Sequence, residues 1–519
     1  MIEGKLLKRA KLNLSRLLDP LYDYPNAYRY SVDWPGDFPG RILLALTSLY
    51  QTFNGYDKER QMIEERLRHI LSHIESKLNN DKFFGPEFNP DYINEQQLSG
   101  NGWYLRGLCK YYDIFKDEKA IEALNIINNK LLIPLSVYYK DYPIEERNAD
   151  GGVCGHSLEN TAHNWLLSSD VGCAFILLDG YVSCYEIIKN EDLKKAIEFI
   201  IEQFEKIDYV ALKCQTHATM TCARAILRFY QITKNDKYLD LAKSIFNKYV
   251  KYGMTDDYQN INWFQREDSW TEPCCVVDSF ILAKQLYLIT HEVEYLKLFN
   301  RIYLNGLRTF QRINGGAGCS SVVKDNQRIL KQWMFEAWFC CTMRTSEGFN
   351  ELSNALIKKD NQYILLIPQS FTNEDIDVNI DLYEDRIFDI TFKKPGAISI
   401  YVPDGFESDY QVKNNMISIA SKEAKKVSIK FKININKVNK TYLIGDMVLS
   451  QKDKHLSQVY NIDGHKYSLI NDSTLLDEES LKDIQQELWW IISLIHHTQQ
   501  HPKNTLWGSE KITQLTSNR

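Results

Sequence analysis

Residues 177–200, LLDGYVSCYEIIKNEDLKKAIEFI, decide the fold class. Apolar side chains recur at Leu177, Leu178, Tyr181, Tyr185 and Ile188, then again at Leu193, Ile197 and Ile200. That spacing puts one apolar stripe on each of two helices. Between them Lys189, Asn190, Glu191 and Asp192 form a short polar link, the chemistry of a tight helical hairpin. The same design returns at LLALTSLYQTFNGYDKERQMIEERL from Leu43 and at YLRGLCKYYDIFKDEKAIEALNII from Tyr104. It returns again at ARAILRFYQITKNDKYLDLAKSIF from Ala223 and SFILAKQLYLITHEVEYLKLFNRIY from Ser279. Five copies of one hairpin predict a helical array. Long insertions at 83–102, 141–164 and 252–271 interrupt it unevenly. A regular solenoid spaces its repeats evenly, whereas a closed toroid tolerates long loops on one face. A toroid is therefore expected.

Near residue 360 the period changes to two. YILLIPQSF, IDVNIDLY, IFDITFK, AISIYVP, MISIAS, VSIKFKIN and TYLIGDMVLS alternate apolar and polar residues between turns such as KPG, PDG and KNN. This predicts an antiparallel β-sandwich. After residue 450 the chain turns polar, and LKDIQQELWWIISLIHH at 481–497 reads as one more amphipathic helix. The expected domains are 1–358, 359–450 and a C-terminal extension 451–519.

The 519 residues are 44% hydrophobic, enough for a large core, and the net charge of −6 comes from closely mixed acids and bases. No basic footprint for nucleic acid is present. The charged N-terminus MIEGKLLKRAKLNLSRLLDP lacks a signal-peptide core, and no run of 18 apolar residues predicts a membrane span, so the default expectation is cytoplasmic. With 11 cysteines in a reducing compartment, thiols are expected as core residues or metal ligands rather than disulfides. The 31 Tyr, 23 Phe and 10 Trp suit a sugar cleft, but they suit a helical core better.

Two cysteine clusters carry the chemistry. WTEPCCVVDS holds Glu272, Cys274 and Cys275, and FCCTMRTSEG holds Cys340 and Cys341. Each follows a long insertion and opens a helix. Paired thiolates suit a soft metal such as zinc, and a carboxylate two residues before a cysteine can reach the same ion. Buried structural thiols are the plain alternative. The separation of the clusters matches neither a zinc finger nor a ribbon.

The segment TEPCCVVDSFILAKQLYLITHEVEYLKLFNRIYLNGL resembles the glutamate-x-cysteine helix of family 127 glycoside hydrolases, the β-L-arabinofuranosidases and their relatives. Cys340–Cys341 is similar to that family's paired cysteines, and QTHATMTCARAILRFYQITKNDKYLDLA to its His-Ala segment. The likeness spans roughly residues 30–360. It implies an (α/α)6 barrel of six hairpins followed by β-structure. It implies Zn2+ held by Glu272, Cys274, Cys340 and Cys341, with Cys340 as the nucleophile of a retaining glycoside hydrolase. It places His217 in the sugar pocket. His156 and His163, in a Gly-rich insertion, are expected on the same face. The family places a glutamate acid/base on the loop before the glutamate-x-cysteine element; here that loop, YGMTDDYQNINWFQREDSW, offers Asp256, Asp257 and Glu267, with Gln259 as a possible equivalent. Asp257 is the expected acid. The family's proline after the paired cysteines is also missing, and Arg344 in CCTMR is expected to make a surface pair unless it binds an anionic substrate. The stretches DWPGDFPGR and NEQQLSGNGWY are polar–aromatic loops able to line a cleft or cap helices. The expected partner is a carbohydrate, with no nucleic acid or membrane and a homodimer as the possible assembly. Two other functions fit a helical toroid: a uronyl hydrolase or epimerase, which needs no paired cysteines, and a non-catalytic sugar-binding protein with structural zinc.

Overall fold

The computed structural model describes residues 1–29, 33–144, 157–324, 333–360, 362–450 and 459–469. The helix expected at 481–497 lies outside the described residues.

The helices are α1 Gly4–Leu17, α2 Asp37–Thr52, α3 Asp57–Ile74, α4 Glu95–Phe115, α5 Glu118–Ile127, the short α6 Ile133–Ser136, α7 Leu177–Ile188 and α8 Glu191–Glu205. They continue with α9 Thr216–Thr233, α10 Asp236–Tyr252, α11 Pro273–Thr290, α12 Val293–Ile302, the short α13 Arg308–Phe310 and α14 Cys341–Ser353. The hairpin links explain themselves. Lys116, Lys189 and Lys234 each end an inner helix in the left-handed conformation, at φ 52°, 53° and 58°. The next residue, Asp117, Asn190 or Asn235, then caps the following helix with its side-chain oxygen. The recurring Lys-Asp/Asn dipeptide is thus the turn itself.

Helices α2, α4, α7, α9, α11 and α14 pack each on the next, and α14 packs back on α2, so the ring closes. Helices α3, α5, α8, α10 and α12 flank them outside, and α1 packs on α14 as the sixth outer helix. The sequence pattern contained five hairpins; the sixth joins the two ends of the barrel. Helix α1 escapes a local reading because its partner lies more than 300 residues away. Asn13 Nδ2 donates to the carbonyls of Gly315 and Thr342, both at 3.0 Å, and Ser346 Oγ donates to Asn13 Oδ1 at 2.7 Å. Glycine permits the closest inner contact: a Cβ on Gly40 of α2 would meet Tyr104 N of α4 at 2.3 Å. Helix α11 is long and apolar enough to cross a membrane by length and composition, yet it is an inner helix, 72% buried.

Two small sheets line the barrel's loops. Strands β1 Ile93–Asn94, β2 Ser157–Ala162 and β3 Trp165–Ser168 form one, in the order β1-β3-β2. Strands β4 Trp270–Thr271, β5 Gly318–Ser321 and β6 Trp333–Glu336 form the other, in sequence order.

The β-domain follows with β7 Leu356–Lys359, β8 Gln362–Leu365, β9 Phe371–Thr372, β10 Ile376–Asp381, β11 Ile387–Phe392, β12 Gly396–Tyr401, β13 Phe406–Glu407, β14 Val412–Lys413, β15 Met416–Ser421 and β16 Lys425–Lys430. Its principal sheets run β16-β11-β10-β9 and β14-β15-β12-β8-β7, with alternate residues such as Phe388, Ile390, Ile398 and Ile400 buried between them. The expected antiparallel pairing holds except between β8 and β12, which are parallel. Strands β17 Lys432–Ile433, β18 Ile435–Val438, β19 Thr441–Ile444, β20 Met447–Ser450, β21 Val459–Ile462 and β22 His465–Leu469 complete it. The seam with the barrel is polar: Asp446 meets Arg301 Nε at 2.9 Å and accepts from Tyr401 Oη at 2.7 Å.

Candidate metal centre at the barrel mouth

The small sheet β4-β5-β6 brings the two cysteine clusters together. Strand β4 runs straight into Glu272 and α11, and β6 leads through Trp338 and Phe339 to Cys340 and α14. Strand β5 pairs with both, and Ala337 N donates to the Ala317 carbonyl at 2.8 Å. Two segments far apart in sequence therefore open their helices side by side.

One ligand atom from each of Glu272, Cys274, Cys340 and Cys341 lies within 4.8 Å of the others. The Cys274 and Cys341 sulfurs are 3.2 Å apart, and those of Cys340 and Cys341 3.3 Å. Tetrahedral zinc would set its thiolates about 3.7 Å apart, so a small outward adjustment accommodates it. Glu272 Oε2 is buried without a hydrogen-bond partner, as a ligand oxygen awaiting a cation would be. The donor set of three thiols and a carboxylate fits zinc. Cys275 stays out of it: its buried thiol faces Thr216 and Tyr249, because neighbouring residues point to different faces of a helix.

Cys340 is the most open of the four, half-buried where the others are enclosed. Burial pushes its thiol up, but hydrogen bonds from Cys274 and Cys341 and the Arg41 guanidinium outweigh burial and pull it below an ordinary thiol. Burial, with hydrogen bonds to Cys274 and Cys340, pushes Cys341 up. Proton loss is thus concentrated on Cys340.

A layer of side chains from the inner helices surrounds the cluster. Arg41 Nη1 is 3.5 Å from Cys274 Sγ and its Nε pairs with Asp37 at 2.6 Å. Arg41 also lies over the Trp103 ring at 3.9 Å, and His217 stacks on the same ring at 5.7 Å. His217 Nδ1 is 3.2 Å from Glu272 Oε1. Burial lowers the basicity of this imidazole, but the Glu272 carboxylate more than restores it, and the net shift is upward. One turn deeper, Arg106, Asp179, Arg224, Asp278 and Arg344 interlock. The matched levels mean that the inner helices run parallel, with their N-termini at one mouth.

The sequence expectations meet this geometry unevenly. The four expected ligands converge, and His217 touches one of them. His163 is exposed on the turn between β2 and β3, where Nδ1 is 3.2 Å from the Asp141 carbonyl oxygen. His156 lies outside the described residues. Asp257 is not among the four clustered ligands. It is fully buried, accepting from Thr255 Oγ1 at 2.6 Å and from Gln259 Nε2 at 3.3 Å. Gln259 also donates to the Asn305 carbonyl at 3.2 Å. Arg344 does not make the expected surface pair. It is 1% exposed, paired with Asp278 and Glu347, and 4.7 Å over Trp103, because its helix points inward. Sequence reasoning missed Arg41, Trp103 and Asp278 as neighbours of the site. Part of the signal existed: Trp103 lies in the polar–aromatic stretch that opens α4, and Asp278 is a lone carboxylate in an apolar run, whereas nothing around Arg41, inside α2, points to a thiol.

No protein-family model and no curated protein sequence matches the chain. Solved structures do. A glycoside hydrolase structure superposes with TM-score 0.60 at 9% identity, covering 90% of this chain and 87% of its own. A GH127 β-L-arabinofuranosidase from Geobacillus stearothermophilus T6 gives 0.60 at 10%, covering 86% of each chain. Another GH127 β-arabinofuranosidase gives 0.57 at 11%, covering 85% and 79%. The barrel and its β-domain together have the fold of solved GH127 β-L-arabinofuranosidases.

Proposed function

We propose that this protein is a zinc-dependent retaining glycoside hydrolase of the β-L-arabinofuranosidase type, with Cys340 as its nucleophile. The observation that carries the reading is the convergence of Glu272, Cys274, Cys340 and Cys341 at the mouth of a barrel with the GH127 fold. Bound zinc holds the sulfurs as thiolates at neutral pH. Cys340, the most open sulfur, attacks the anomeric carbon while the loop carboxylic acid, assigned to Asp257, gives its proton to the departing oxygen and is left as the carboxylate. Water then attacks the same carbon, returns a proton to that carboxylate and releases the Cys340 thiolate. Two inversions retain the configuration. His217 is assigned to the sugar pocket beside Glu272, and His163 and His156 are kept as further candidates for sugar binding.

The test is a panel of nitrophenyl glycosides, including the β-L-arabinofuranoside, assayed with zinc and with chelator. Turnover should vanish on chelation, return with zinc, and be absent in Cys340→Ser. A zinc-loaded protein that turns over none of the panel would sink the hydrolase reading. The enclosure of Asp257 and Gln259 in mutual hydrogen bonds favours, as the second reading, a sugar-binding protein with structural zinc.

A further inference from the structure

Asp278 stands one helical turn after Cys274 on α11, and Arg344 one turn after Cys341 on α14. The two form a buried ion pair directly beneath the thiols, Asp278 being 0% and Arg344 1% exposed. Asp278 also binds α9. It accepts from Thr221 Oγ1 at 2.8 Å and from Arg224 Nη1 at 2.8 Å, and its Oδ2 lies 3.4 Å from His217 Nε2. One carboxylate therefore ties together the three helices that carry His217, the Glu272–Cys274 turn and the Cys340–Cys341 turn. Burial pushes the Asp278 carboxyl up, but Arg344 and Arg224 outweigh it and keep it ionised.

We propose that Asp278 is a positioning residue that clamps α9, α11 and α14 at the register which preforms the Glu272, Cys274, Cys340 and Cys341 ligand set. The inference rests on the zinc reading above. Its strength follows from distance and stiffness: a ligand turn held by a buried charge one turn below cannot slide along its neighbour without unpairing that charge. Asp179 provides the control. It is an equally buried carboxylate serving Arg106, Arg224 and Arg228, but it stands on α7, which contributes no ligand.

The experiment titrates cobalt(II) chloride into reduced, metal-free wild type, Asp278→Asn and Asp179→Asn, reading the thiolate-to-cobalt absorption and competing with a chelating dye. Asp278→Asn should bind cobalt at least about tenfold more weakly with an altered absorption spectrum, the range set by lost outer-shell support. Asp179→Asn, which reaches Asp278 through the shared Arg224 and touches no ligand-bearing turn, should lower the melting temperature yet weaken cobalt far less than Asp278→Asn does and keep the wild-type spectrum. Thr221→Val, which removes a single donor to Asp278 at nearly constant volume, should weaken cobalt about two- to fivefold if Asp278→Asn does not fold. Wild-type affinity and spectrum in Asp278→Asn (in Thr221→Val, should Asp278→Asn fail to fold), or equal losses in Asp278→Asn and Asp179→Asn, would overturn the proposal. Failure of wild type itself to bind cobalt is a separate result that removes the metal reading and the inference together.

Discussion

Asp257 carries the heaviest assignment on the least conspicuous geometry. Its oxygens are engaged by Thr255 and Gln259, and no part of the residue reaches solvent. If it is the acid, the loop must present it when sugar enters. Asp257→Asn should then slow glycosides with poor leaving groups by about 10²–10⁴-fold while sparing activated aryl glycosides, which need little protonation. Equal losses on both, measured as kcat/KM, would make Asp257 a loop-bracing residue and move the assignment to Asp256. The ligands are easier to read. Glu272 and Cys274 sit two residues apart at the start of one helix, and Cys340 and Cys341 at the start of another. Their shared fate was legible as chemistry, because thiols and a carboxylate in such pairs suit one ion. Arg41 was not legible, since nothing in its own stretch points to a sulfur far along the chain.

At the scale of elements, the hairpin grammar is almost wholly local. Lysine in a left-handed turn followed by an Asx cap closes each of three hairpins, and that can be read from neighbouring residues. Asn190→Ala removes the cap on Asp192 and Leu193 and should cost about 1 kcal/mol, read as a lowered melting temperature with unchanged metal content. Helix α1 is the opposite case. Asn13 holds the carbonyl of Thr342, the second residue of the cysteine helix, and that of Gly315. Asn13→Leu leaves both carbonyls and the Ser346 hydroxyl without their buried partner. It should destabilise by about 2–4 kcal/mol and weaken zinc retention against a chelator. Retained zinc with lowered stability would mean that α1 braces the barrel without supporting the site.

Across the whole molecule, the barrel axis is filled with charge rather than oil. Burial pushes the Asp179 carboxyl up, but Arg106, Arg224 and Arg228 hold it well below the usual carboxylate range. Asp278 is held low in the same way, and Glu351 by Lys284. An acid with a depressed folded pKa contributes stability that is fully present above its unfolded value of about 4. That stability is lost as pH falls through the folded value. Unfolding scans should therefore show a plateau down to about pH 4 and a steep decline below it. Asp179→Asn should start lower and decline less steeply; an unchanged slope would show that the acid limb belongs to other groups. The seam to the β-domain differs. Burial dominates at Asp446 and raises its pKa despite Arg301 and Tyr401.

The sequence by itself determined the period of the helices, the caps and turns between them, the switch to strands near residue 360, and the residue types able to hold zinc. Each of these depends on neighbours within a few positions, where sterics and hydrogen bonding act locally. Only the tertiary structure decided that α14 closes the ring on α2 with α1 as its outer helix, that Arg344 points into the barrel axis, and that Asp278 lies under the thiols. Those outcomes depend on which helix faces meet after the chain has travelled hundreds of residues. Burying a charge selects for a partner wherever the fold supplies one, not wherever the sequence places it next.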